Sequence, residues 1–106
     1  MELKFNIFYA PTVLPDLDGI ADYIANTLCA PQAAEKLIGK ILHRIQRLAD
    51  FPFSGTMLDD TSAELTFAYR WLKVDNYMIF YTVDETAQAV TVMRVLYDAS
   101  DYLSIL

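Results

Sequence analysis

The chain has 106 residues, a formal net charge of −6, and eight Lys and Arg against fourteen Asp and Glu. That length suits one domain over residues 1–106 with one core, burying roughly 60–70% of the surface its unfolded chain would expose. A hydrophobic fraction of 55% with 21% charged residues argues against disorder, and apolar runs of only a few residues argue against a membrane span. The first residues alternate polar and apolar and lack a continuous signal-peptide core, so a cytoplasmic location is expected. The single Cys29 leaves no internal disulfide framework. With no second thiol and no His pair, neither a structural zinc site nor any other metal or cofactor is expected. Cys29 reads as a small apolar filler at a helix end. The acidic balance opposes direct nucleic-acid binding, which needs a local basic patch to neutralise phosphates.

Residues 2–9, "ELKFNIFY", place Leu3, Phe5, Ile7 and Tyr9 on one side, the pattern of a strand with one buried face. "APTVLP" breaks it. Thr12 is a candidate N-cap, Pro15 fits a first helical turn, and Asp16 and Asp18 suit the positive end of a helix dipole. Leu17, Ile20, Ala21, Ile24 and Leu28 recur at helical spacing, which predicts a first helix to about Leu28. Pro31 starts a second helix with an apolar stripe running from Ala34 to Leu48. Its other face carries Lys36, Lys40, His43 and Arg47, with Arg44 at the edge. That face is a solvated side or a docking stripe for an acidic partner or phosphates.

"DFPFSGTMLDDTSAE" reads as a loop rich in turn formers. Three strands come next, at about 67–74, 77–83 and 88–97, joined first through Asp75-Asn76. The tail "DASDYLSIL" is a short helix or an arm across the sheet. The order β-α-α-β-β-β predicts an α+β domain, a helical hairpin packed on one face of a mostly antiparallel sheet.

Several strings in this order resemble the RelE/ParE superfamily of bacterial toxins from type II toxin–antitoxin (plasmid stabilisation) modules. They are "DLDGIADYIA", "LADFPFSG", "YRWLKVDNYMIFYTVDE" and "VTVMRVLYDASDYLSIL". Together they give the combination fP-x-x-G, yR, nY-x-i-f-Y-x-v-d and RVL-x-x-x-x-D over most of the chain. The resemblance implies a growth-inhibiting toxin held inactive by a cognate antitoxin, touching operator DNA only through the antitoxin complex. It implies one of two targets: the ribosome, where RelE-like members cleave mRNA, or DNA gyrase, which ParE-like members inhibit.

RNA cleavage needs a proton acceptor, a proton donor and cations on the phosphate. Arg70 matches the basic position of "yR", Arg94 that of "RVL", and Tyr97 stands where many relatives carry His. These three are the candidate catalytic residues, expected to meet beside the last aromatic ring. Two departures weigh against a nuclease: Met78 replaces a frequent Arg, and Tyr97-Asp98-Ala99-Ser100-Asp101 replaces a His- and Arg-bearing end. Losing one preorganised phosphate contact costs about 3 kcal/mol. Target binding, as in gyrase inhibition, or a weakened toxin is therefore expected ahead of an mRNA endonuclease. Each candidate also has a plain structural reading. Arg70 could pair with a loop carboxylate, Arg94 with Asp98 or Asp101, and Tyr97 could cover the sheet edge. Lys73 is expected to lie wet at a strand end.

Overall fold

A computed structural model describes residues 4–58 and 67–106 of the chain. Its elements are β1 (Asn6–Tyr9), α1 (Val13–Asp22), α2 (Pro31–Gln46), β2 (Thr56–Met57), β3 (Arg70–Val74), β4 (Tyr77–Asp84), β5 (Ala89–Tyr97) and α3 (Tyr102–Ile105). The expected start of the first strand at residue 2, and the loop carboxylates Asp59, Asp60 and Glu64, lie outside the described residues. The strands form one sheet in the order β1-β5-β4-β3-β2. β1 runs parallel to β5, and every other pairing is antiparallel. The architecture is the expected α+β one, with one addition. Two residues read as loop, Thr56 and Met57, pair with Trp71 and Arg70 and extend the sheet edge.

The helices pack because their apolar stripes face the same side of the sheet. Ile41, Ile45 and Leu48 from the second helical segment meet Ile79, Tyr81, Val90 and Val92 in a layer with no solvent exposure. Truncating such a residue, for example Ile45→Ala, costs about 2–5 kcal/mol.

The first helix departs from its pattern at its end. After Asp22 it widens into a π turn, Tyr23–Thr27, closed by the Leu28 amide on the Tyr23 carbonyl at 3.1 Å. The extra residue in that turn rotates the end of the helix, so Leu28 is 55% exposed although its spacing predicts burial. Cys29 is likewise exposed, with a left-handed φ of 54°, and is not a core filler. Pro31 opens α2, as expected for a residue whose missing N–H has no partner there.

The sheet's other face carries Tyr69, Met78, Phe80 and Leu96, covered in part by the C-terminal tail. The tail is both things its sequence allows, a four-residue helix laid across the sheet. Its Tyr102 ring lies 5.2 Å from that of Phe80. Among the described residues no helix is long and apolar enough to cross a membrane.

Candidate functional site

Arg94 sits at an irregularity in the sheet. Tyr81 faces Val92 but Phe80 faces Arg94, so Met93 is an extra residue in β5 and makes a β-bulge. The bulge turns backbone groups towards the start of α1. The Thr12 hydroxyl donates to the Met93 carbonyl rather than capping its own helix. The Val95 amide donates to Asp16 Oδ2 at 3.0 Å. Arg94 Nε and Nη2 then take both Asp16 oxygens at 2.7 Å each. The side chains are 25% and 9% exposed, so this is a largely desolvated, two-pronged ion pair. The Asp16 hydrogen bonds raise the guanidinium pKa in spite of the partial burial that opposes it. Arg94 has thus found a carboxylate, but from the first helix and not from Asp98 or Asp101.

Arg70 lies on the other side of β4. It faces Tyr81 in the register and so shares the helix-facing side of the sheet. Its Nη1 donates to the Gly55 carbonyl at 2.9 Å, and its guanidinium stands 5.0 Å from the Phe53 ring centroid. Tyr81 holds the same loop from below: its hydroxyl donates to the Pro52 carbonyl at 2.9 Å and accepts from the Gly55 amide at 2.8 Å. A β-carbon on Gly55 would meet the Tyr81 hydroxyl and come within 2.8 Å of the Trp71 carbonyl, so the "FPFSG" turn needs glycine there. Burial pushes the Tyr81 pKa up, against the lowering effect of the Gly55 hydrogen bond and of Arg70.

Tyr97 is the third candidate, three positions beyond Arg94 on β5. Its ring stands edge-on to Tyr77 at 5.7 Å and is 49% exposed. Both tyrosines border a groove of about 870 Å³ between α1 and the end of the sheet, with Tyr23 and Leu28 on the opposite bank and Val95 in its lining. Burial, then Tyr97 and Tyr23, raise the Tyr77 pKa. Lys40 bonds Asp75 at the groove's rim, and Lys73, 52% exposed as its strand-end place suggests, pairs with Asp98 at 3.0 Å.

Arg70, Arg94 and Tyr97 therefore have separate partners: a loop carbonyl, a partly buried carboxylate and a second tyrosine ring. They are not gathered around one point where a phosphate could sit. Among the described residues no group of three His, Cys, Asp or Glu side chains gathers to hold a metal ion. What the arrangement does offer is an aromatic-rimmed, apolar groove suited to another chain's side chains.

Asp16 carries no sign of this role in the sequence, because a first-turn acid is accounted for by the helix dipole alone. Tyr23 did carry a signal, as a large aromatic off the apolar stripe of its helix.

The family model described as "ParE toxin of type II toxin-antitoxin system, parDE" matches residues 7–102. Among solved structures, the chain is similar to one from the chromosomal ParDE toxin–antitoxin system of P. aeruginosa. The TM-score is 0.69 at 18% identity, covering 89% of this chain and 96% of that one. It is also similar to one from the RelBE2 toxin–antitoxin complex of Mycobacterium tuberculosis, with a TM-score of 0.63 at 16% identity, covering 94% and 98%. No curated protein sequence matches the chain.

Proposed function

The chain belongs to the ParE toxin family of type II toxin–antitoxin systems, and from that premise we propose that it acts by gripping a protein target such as DNA gyrase, not by cutting RNA. The observation that carries this reading is the commitment of Arg94 to Asp16 by two 2.7 Å hydrogen bonds. A guanidinium already satisfied by a partly buried carboxylate adds little positive field at a phosphate. Arg70 and Tyr97 are engaged at different places on the sheet and do not join it as one set, and oriented charge stabilisation supplies most of the rate in such chemistry.

The cognate antitoxin fits the groove bordered by Tyr23, Leu28, Tyr77 and Tyr97. An amphipathic segment laid there would cover Tyr23, Leu28 and Tyr97, which are about half exposed in the free chain. Operator DNA would be reached only through that antitoxin, since this chain's net charge of −6 opposes phosphates.

The test is expression of the chain alone, tracking DNA replication and translation together. Gyrase-linked DNA breaks with translation still running are expected, as is rescue by co-expression of the antitoxin. Early translation arrest with mRNA ends mapped to the ribosomal A site would overturn the reading in favour of an endonuclease.

A further inference from the structure

Seven of the eight Lys and Arg side chains fall into two groups; the eighth, Lys36, makes no ion pair among the described residues. Lys4, Lys40, Lys73 and Arg94 each meet a carboxylate. Arg44, Arg47 and Arg70 meet none among the described residues, and all three close on one loop, Phe51–Gly55. Arg44 Nη2 donates to the Ser54 hydroxyl at 3.2 Å, and Arg70 Nη1 to the Gly55 carbonyl at 2.9 Å. Arg47 stands 5.8 Å from the Phe51 ring centroid, and Arg70 stands 5.0 Å from that of Phe53. Hydroxyl, carbonyl and ring faces position a guanidinium without neutralising it. Among the described residues no carboxylate takes the charge or the remaining N–H donors of these forks, which are already oriented. Between them Phe51 and Phe53 are 56% and 45% exposed, an apolar surface framed by fixed positive charge.

We propose that this arginine–phenylalanine patch is a second docking surface, separate from the tyrosine groove, for a protein segment in which carboxylates alternate with apolar side chains. Charge complementarity sets the sign of the partner, since three clustered arginines that meet no carboxylate among the described residues present a local inversion of the acidic chain's field. The patch's small extent selects a polypeptide over a nucleic acid. A phosphate strand carries its charge beyond the arginines into the surrounding negative field, whereas a peptide's charge ends where its few carboxylates end. Arg and Phe are also residue types enriched at protein interfaces, and Arg recurs where interfaces concentrate their binding energy. The carboxylates take the forks in pairs and the apolar side chains cover the two rings.

The experiment titrates the full chain into a short fluorescein-labelled peptide alternating Glu with Leu and Phe, read by anisotropy, beside a single-stranded oligothymidylate of equal length. Saturable peptide binding is expected, weakened by added salt and about tenfold by either Arg44→Ala or Arg47→Ala. Amide NMR shifts should centre on Phe51–Gly55, and Lys73→Ala should bind as the parent does. The proposal is overturned by absent or unsaturable peptide binding, or by unchanged binding in an Arg44→Ala/Arg47→Ala chain that keeps its far-UV circular dichroism. Shifts centred on Tyr97 would overturn it too. Tighter binding of the oligonucleotide would make the patch a nucleic-acid surface instead. None of these readouts uses toxicity, so they stand or fall apart from the toxin reading.

Discussion

At the scale of single residues, the Asp16–Arg94 pair is the most consequential contact. Asp16 accepts three hydrogen bonds, two from the guanidinium and one from the Val95 amide. Removing either partner strands the other in a poorly solvated place, so Asp16→Ala and Arg94→Ala should each destabilise the chain by about 3 kcal/mol in urea unfolding. The double replacement Asp16→Leu/Arg94→Leu should cost less than the two single leucine variants summed, which a double-mutant cycle measures directly. Arg94's need for a carboxylate was legible in the sequence, because even alternation along the strand places it on one side with Val90, Val92 and Leu96. Which carboxylate was not: a one-residue bulge at Met93 redirects the side chain, and nothing in the local string announces it. Tyr81 illustrates the same limit. Its place in an alternating strand predicts burial, but its hydroxyl's two bonds to the Pro52–Gly55 turn depend on a loop far away in the chain. Tyr81→Phe should cost about 1–3 kcal/mol, the penalty of leaving buried backbone groups without their partner.

At the scale of elements, two features carry the shape of the functional surface. The first is the "FPFSG" turn, which closes against Tyr81 and the Trp71 carbonyl. Gly55→Ala should destabilise by about 1–3 kcal/mol through overpacking, and combining it with Tyr81→Phe should recover part of that loss by removing one colliding atom. The second is the tail. α3 is too short to be stable by itself and persists because Tyr102 and Leu106 pack on the rear face of the sheet. Tyr102→Ala should therefore lower the urea midpoint by the equivalent of about 1–2 kcal/mol and raise binding of a hydrophobic dye. The helices and the three long strands were readable from periodicity, since each buries one continuous stripe. The π turn was not, because a single extra residue leaves the composition of the stripe intact while rotating its end. That rotation exposes Leu28 and gives the tyrosine groove its far bank.

At the scale of the whole molecule, alkaline pH probes how tightly the layers close. Burial raises the pKa of Tyr9, Tyr69, Tyr77 and Tyr81 above the ordinary value of 10.0. The unfolded chain releases these protons first. Stability is therefore fully present below the ordinary phenol range and falls as pH rises through it towards the raised values. Urea midpoints measured across that range should decline, and the decline should shrink in Tyr81→Phe relative to that variant's own neutral-pH value. The two proposed docking surfaces differ in kind: the groove is apolar and aromatic, whereas the patch is cationic. Leu28→Asp should weaken antitoxin rescue in a co-expression assay without altering dye binding or the unfolding midpoint, because the side chain is already half in water. The parallel edge pairing has a temporal meaning as well. β5 is an interior strand of the sheet, yet Asn6 must wait for Ala89 before the two can join. During vectorial synthesis the segment Asn6–Tyr9 stays unmated until the chain has been made through β5. A product that stops before Ala89 thus lacks an interior beam of the scaffold.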